Sequence, residues 1–490
     1  MPEVGKNRMI RTTLDSLPFG DDQNDYGLHE KVSNTIPEGV ANRALYTDIL
    51  RIALPSFMEL MLTQLASMMD LMMVGQLGPW ALTAVGLTTQ PKFLLMTLFI
   101  ALNVGATAMV ARYRGAGEQE KANKIMRQAL VMTLVLSTLS SVLGYVFAKP
   151  MIVFMGASDA ETLEGAVTYL RIQMIGFVFM ALTTTFTAVL RGVGDSRTAM
   201  IYNLTANVVN VILNYVLIYG HFGFPALGVA GASLATIIGQ FVAFAYALFY
   251  LMRGKRYLHL RFRDSFVPDF GEMKKIAAIG IPSMIEQLVM RAGMIIYSKT
   301  VASLGTVAYA THQVCMNIQA LSFMSGQAFA VSATSLVGQS LGKRRPDMAQ
   351  AYCSRSRRIG FLVAIGIGVT FFFFGGWIVS LYNDDPAIVN TGATILKLIA
   401  FTQPFQSSQF IIAGGLRGAG DTKATAIITF ITVLLVRPGV ALLLIKVFHW
   451  GVEGAWVAMV CDQVIRTTLV FLRYRSGKWK LATQRKFMKT

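Results

Sequence analysis

Leu190-Arg191-Gly192-Val193-Gly194-Asp195-Ser196 returns later in the chain as Leu416-Arg417-Gly418-Ala419-Gly420-Asp421-Thr422. It does not return alone. Ala53-Leu54-Pro55-Ser56 with Glu59 comes back as Gly280-Ile281-Pro282-Ser283 with Glu286. Val104, Thr107, Val110 and Gly115 come back as Val331, Thr334, Val337 and Gly342, and Gly228-Val229-Ala230-Gly231-Ala232 as Gly451-Val452-Glu453-Gly454-Ala455. Four matches in order, at an offset that drifts only from 227 to 223, mean an internal duplication. The repeated stretch reads as a tight turn between two helices. Gly192 and Gly418 are placed to take a left-handed C-terminal cap, and Asp195 and Asp421 to cap the helix that follows. Arg191, Arg197, Arg417 and Lys423 would anchor the turn at a membrane surface.

Outward from these turns the chain is apolar. Of its 490 residues 54% are hydrophobic and 14% charged, and mean hydropathy is +0.53. Soluble domains carry roughly 25% charge, so the composition describes an integral membrane protein and excludes a disordered or collagenous chain. Cys315, Cys353 and Cys461 are scattered and form no CxxC, which points to neither a disulfide framework nor a zinc site. Residues 1–46 are polar, show no cleavable leader pattern, and leave targeting to the first span.

A span needs about 20 apolar residues. Such runs fall near 52–76, 82–111, 128–148, 166–190, 199–219, 229–252, 276–302, 307–340, 359–381, 390–416, 424–445 and 452–472, which predicts twelve helices. The second and eighth exceed a bilayer's thickness and should tilt or project. Continuous rather than alternating runs exclude a closed β-barrel. With both termini in the cytoplasm, the inside segments hold 34 of the 44 Lys and Arg, and the outside loops hold only Lys149 and Lys446. That asymmetry sets the orientation and accounts for the net charge of +18 without nucleic acid. Asp159, Glu161, Glu164, Asp384 and Asp385 all fall outside.

Six spans per repeat is even, so both halves enter the membrane the same way up, related by an axis along the membrane normal. The expected organisation is a polar tail 1–46, a six-helix bundle 47–252, a basic cytoplasmic linker 253–275, a second bundle 276–472 and a basic tail 473–490. Two such bundles suit an alternating-access transporter with substrate at their interface.

These motifs resemble the multidrug and toxic compound extrusion (MATE) family, and within it the DinF-like branch. The resemblance covers roughly 45–475. It rests on Pro55 and Asp70-Leu71-Met72-Met73-Val74-Gly75 in span 1, the two Leu-Arg-Gly-x-Gly-Asp turns, Asn207, Asn210 and Asn214 in span 5, and the two Gly-Val-x-Gly-Ala starts of spans 6 and 12. It implies a V-shaped twelve-helix fold and H⁺- or Na⁺-driven efflux of bulky, often cationic compounds across the plasma membrane. Such a carrier acts on small molecules within the lipid bilayer, works as a monomer, and needs no ATP, cofactor or resident metal beyond Na⁺ at the coupling site.

Charges at mid-bilayer are costly and mark pathways. Asp70 lies deep in span 1 with no basic residue one turn away. Burial without a cation disfavours its charged form, which makes it a candidate proton carrier. With Asn210 and Asn214, one turn apart on span 5, and Thr236 on span 6, it also presents oxygen ligands for Na⁺. The resemblance implies this same cation site at Asp70, Asn210 and Asn214, with Thr236 the looser match; some members carry a second acid where Asn214 stands. Glu59 and Glu286 occupy equivalent places, and Glu286 is expected to pair with Arg291 or to meet substrate. Gln406 stands where some relatives keep an acid. Arg437 and Pro438 interrupt span 11, while Asp462 and Arg466 read as an intrahelical pair. Methionines crowd span 1 and suit a promiscuous apolar surface; the candidates to line a cleft are Met69, Met73, Gln90, Glu286, Asn317 and Gln406.

A lipid-linked saccharide flippase would need more intramembrane cations. A membrane-embedded enzyme would need a motif such as HExxH or a nucleophile elbow, and none occurs. No P-loop is present for ATP-driven transport.

Overall fold

The computed structural model describes residues 12–19, 32, 36–157, 159–254, 256–261, 263–382 and 385–482. Most of the N-terminal tail, the end of the C-terminal tail and Asp384 lie outside the described residues. What is described is helical, with no strand. Twelve long helices follow one another: α1 Asn42–Gly75, α2 Pro79–Gly115, α3 Gln119–Val146, α4 Ala160–Gly192, α5 Ser196–Tyr219 and α6 Gly228–Met252; then α7 Phe270–Ala302, α8 Thr306–Gly342, α9 Pro346–Ser380, α10 Pro386–Gly418, α11 Thr422–Val447 and α12 Gly451–Arg475. A short helix, Ala148–Phe154, follows α3.

Several helices outrun their apolar stretches. α1 starts at Asn42, α3 at Gln119 and α9 at Pro346, so each begins roughly two and a half to three and a half turns before hydropathy alone would start it. The extra turns are polar and basic, and a hydropathy reading sees only the apolar part of such a helix. Eleven of the twelve are long and apolar enough to cross a membrane. The other, α10, has 33 residues but carries Gln403, Gln406, Ser407, Ser408 and Gln409, all buried. It packs against α8, α9 and α12, so it meets protein along its polar stretch and needs less apolar surface of its own.

Contacts divide the described chain into two units: Met58–Gly280, and Thr12–Phe57 with Ile281–Thr490. The division runs through α1 and α7, so each of these helices contributes to both units. Within the first unit α4 is central, packed on α2, α3 and α6, while α5 pairs with α6. Within the second, α10 takes the same place against α8, α9 and α12, and α11 pairs with α12. The duplication is therefore visible as one packing scheme executed twice.

The turns that end α4 and α10 show the same geometry in both copies. Asp195 N donates to Leu190 O at 2.8 Å and Gly194 N to Arg191 O at 3.0 Å; Asp421 N donates to Leu416 O at 2.8 Å and Gly420 N to Arg417 O at 2.9 Å. This is the Schellman pattern, and its left-handed residues are Gly194 and Gly420, at φ 86° and 79°. Gly192 and Gly418 are thus not the caps that the sequence suggested. They are helical, and they serve close approach: a Cβ on Gly418 would stand 2.2 Å from Thr334 O, and one on Gly192 2.9 Å from Thr107 O. Small residues of this kind let membrane helices touch along their backbones. Asp195 does cap α5, accepting from Thr198 N at 3.3 Å, whereas Asp421 turns to accept from Arg473 Nε at 2.8 Å.

A piece of the N-terminal tail belongs to the second unit. Residues Thr13–Ser16 form a single 3₁₀ turn that buries Leu14 among Leu45, Ile49, Leu336 and Tyr352. Asp48 accepts from Thr13 N at 2.7 Å and from Tyr352 Oη at 2.8 Å, and Lys343 Nζ donates to Leu14 O at 2.6 Å.

Candidate functional site

In the first unit the polar residues picked from α1, α5 and α6 meet. Asp70 is partly buried, Asn210 and Asn214 fully. Asn214 Nδ2 donates to Asp70 Oδ1. The Asn210 amide, turned so that its nitrogen faces the carboxylate, donates to Asp70 Oδ1 at 2.8 Å and Oδ2 at 3.0 Å. Its oxygen then accepts from Thr236 N at 3.1 Å and Thr236 Oγ1 at 3.3 Å. Periodicity accounts for the convergence: Asn210 and Asn214 are four apart on α5 and share a face. Tyr169 on α4 packs against the apolar cluster that includes Val74 and Ile218, and its carbonyl accepts from Ser233 Oγ at 2.9 Å. Lys92 Nζ on α2 donates to Gln173 Oε1 of α4 at 3.1 Å, and Gln173 Nε2 donates to Ser233 O of α6 at 3.4 Å.

Glu59 and Glu286 show the duplication at the level of single bonds. Arg191 Nη2 lies 2.9 Å from Glu59 Oε2, and Arg417 Nη2 lies 2.9 Å from Glu286 Oε1. The arginine of each turn thus reaches back to the first helix of its own repeat. Glu286 pairs with Arg417 rather than with Arg291, because the tertiary turn, not the neighbouring helical position, holds the guanidinium against it. Asn203 adds a bond to Glu59 at 2.7 Å, and Thr425 one to Glu286 at 3.0 Å. Nor are Asp462 and Arg466 a plain intrahelical pair. Arg437 Nη2 and Arg466 Nη2 both lie 2.5 Å from Asp462 Oδ2, and all three residues are buried. The triad ties α11 to α12 beside two π-helical stretches, Ile431–Val436 and Leu443–Val447. Among the described residues no three His, Cys, Asp or Glu side chains gather to hold a metal ion.

The model of one family, MatE, matches residues 55–216 and again 282–443. The two matches start at Pro55 and Pro282, the register of the internal repeat. The chain belongs to the MatE family. It is similar to the "Probable multidrug resistance protein NorM" of Thermotoga maritima, 31% identical over 88% of this chain and 93% of that protein. It is also similar to "Multidrug resistance protein PmpM" of Pseudomonas aeruginosa, 28% identical over 80% and 83%. Among solved structures, one described as an outward-facing multidrug resistance MATE family transporter superposes with a TM-score of 0.80 at 24% identity, covering 88% of this chain and 95% of that one. One of a MATE in a bent conformation gives 0.82 at 22% identity, covering 91% and 97%. Members of this family are multi-pass membrane transporters and not enzymes.

Other residues picked for a MatE substrate path are placed unevenly. Met69, Gln90 and Asn317 are exposed, Met73 packs against the cluster around Val74 and Ile218, and Glu286 is taken up by Arg417. Gln406 is buried and lines a cavity of the second unit. Lys92 was not singled out from the sequence. The rule that singled out Asp70, an ionisable group inside an apolar run, applies equally to Lys92 within 82–111.

Proposed function

We propose that the protein is a secondary antiporter that exports lipophilic, often cationic small molecules in exchange for an ion, with Asp70 as the coupling group. It sits in the plasma membrane with both termini in the cytoplasm, works as a monomer, and alternates access between bundles 47–252 and 276–472 joined by the linker 253–275. Membership of the MatE family and relatives bearing multidrug-resistance names support the export of drugs. The asymmetry of basic loops supports the orientation.

The observation that carries the reading is the closure of Asn210 and Asn214 on Asp70. An ionised carboxylate only accepts, whereas a protonated one also donates. Protonating Asp70 therefore takes acceptor capacity away from an amide of α5, and the α1–α5 contact must rearrange. A hydrogen bond to a charged group contributes about 1.5–3 kcal/mol, so losing one shifts a two-state balance by roughly ten- to a hundredfold. N–H groups rather than oxygens face Asp70, a setting that favours H⁺ over Na⁺ as the coupling ion. Ion entry from outside would favour the form that releases substrate outward; ion release inside would reset the carrier.

The test is flux of a fluorescent lipophilic cation from proteoliposomes under an imposed gradient of pH or of Na⁺ alone. The reading expects the pH gradient to drive transport. Drive by Na⁺ alone would move the coupling to oxygen coordination at the same residues, and no flux under either gradient would reject antiport. Expression in a host lacking its own pumps should raise tolerance to several unrelated lipophilic cations.

A further inference from the structure

Five helices of the second unit, α7, α8, α10, α11 and α12, converge on a cavity walled by Met290, Phe323, Phe410 and Met459 on its apolar side. Its polar side carries Arg437, Arg466, Gln319, Gln406 and Gln463. The charges do not balance. Arg437 and Arg466 share one carboxylate, Asp462, and the next one, Glu286, is bonded to Arg417 and Thr425. An excess positive charge inside a membrane-spanning bundle is expensive and calls for a counter-anion.

Donors stand ready for one. Arg437 spends Nε and Nη2 on Asp462, yet its Nη1 has no partner although the residue is only 2% exposed. Gln463 Nε2 and Trp456 Nε1, about two turns apart on one face of α12, are likewise buried and unpartnered. So are Gln319 Oε1 and Gln406 Oε1, whose amides can turn to present N–H. Leaving so many buried polar atoms unmet is costly. The space open to the centres of water-sized spheres is about 40 Å³, where one water needs roughly 10–15 Å³. That suits a small molecule and falls short of the roughly 300–1,000 Å³ of a drug pocket.

The geometry points to a binding site for a short aliphatic carboxylate in the second unit. Its two oxygens accept from Arg437 Nη1 and from the side-chain N–H groups around it, and its alkyl end lies on the methionine and phenylalanine wall. A guanidinium suits this ligand because its planar donors match a planar carboxylate. The site is separate from the Asp70 cluster, lies wholly within its own unit, and stands whether or not Asp70 couples transport.

The test uses the purified full chain in detergent. Its melting temperature is followed against sodium propionate, with sodium chloride at matched ionic strength as reference, because a ligand of the folded state alone stabilises it saturably. The expected result is a saturable rise with propionate and none with chloride. Arg437→Gln, which leaves Asp462 its pairing with Arg466, should weaken propionate about ten- to a hundredfold, the loss of one charge-assisted bond. Gln406→Leu, which removes an amide but no charge, should weaken it several-fold and decides the matter if Arg437→Gln does not fold. An equal response to chloride, no response to propionate, or an unchanged response in a folded variant would each overturn the site.

Discussion

Buried carboxylates meet arginines in two different ways in this chain, and removing their charge separates them. Asp462 is shared by two arginines that are 3% and 4% exposed as side chains. Taking away one member of such a buried set costs about 3–5 kcal/mol, so Asp462→Asn should lower the melting temperature sharply. Glu286 faces one arginine that keeps 21% exposure. Arg417 donates to one Glu286 oxygen and Thr425 to the other, so Glu286→Gln leaves a single acceptor and should cost about 1.5–3 kcal/mol, the loss of a charge-assisted bond. Glu59→Gln should cost the same, because its pair is a repeat of the other at the same 2.9 Å. Thermal melts of the three purified variants check the order; a Glu286→Gln loss larger than that of Asp462→Asn would contradict it. Much of this was legible in the sequence, since Glu59 and Glu286 announced themselves as equivalent. Their partners were not. Arg191 and Arg417 lie over a hundred residues away, and spacing within one helix suggested Arg291 instead. Asp70 was legible for the same reason Lys92 should have been: each interrupts an apolar run.

At the scale of the helix, close approach and turn geometry sort the glycines of the repeated turn. Gly418→Ala places a Cβ 2.2 Å from Thr334 O, so α8 and α10 must part, at about 1–3 kcal/mol, the usual price of overpacking. Gly192→Ala meets its carbonyl at 2.9 Å and should cost less. Gly194→Ala must hold φ 86°, at about 1–2 kcal/mol. A melt in which Gly418→Ala is as stable as wild type would show that the helices do not depend on this contact. The sequence told that glycines were needed here and in which turn. It could not tell which took the left-handed angle, because Gly-x-Gly offers two candidates and only the backbone bonds of Asp195 and Asp421 choose between them. In the same way, hydropathy found the membrane part of α1, α3 and α9 but not their polar extensions.

Over the whole molecule, the duplication and the hydropathy pattern carried the fold, while the docking of the polar segments had no periodic signal. Leu14 is such a case: one leucine in a polar tail, yet 2% exposed. Leu14→Ala should cost about 2–5 kcal/mol if the pocket cannot collapse, read as a lower melting temperature and faster proteolysis of the tail. The linker gives a pH-dependent counterpart. Lys124 Nζ, ahead of the apolar stretch of α3, lies 2.5 Å from Asp269 Oδ2. The hydrogen bond from Lys124, with backbone bonds from Glu272 and Gly271, holds the Asp269 carboxyl below its usual range. Its contribution is therefore present above the ordinary carboxylate pKa of about 3.9 and is lost as pH falls through the lowered value. Protection of the amides across 263–275, relative to their intrinsic exchange rates, should fall over that acid range, and Asp269→Asn should show the lower protection already at neutral pH; equal protection in both proteins at neutral pH would deny the pair a role.

The central claim is that Asp70 couples an ion to export, and one comparison bears on it most directly. Wild type, Asp70→Asn and a folded Glu286→Gln are reconstituted side by side, and binding and gradient-driven efflux of the same lipophilic cation are measured on each. Asp70→Asn fixes the neutral side chain, so it should still bind the cation and lose gradient-driven efflux, while Glu286→Gln retains efflux. If Asp70→Asn pumps like wild type and Glu286→Gln abolishes transport, the coupling group lies in the second repeat.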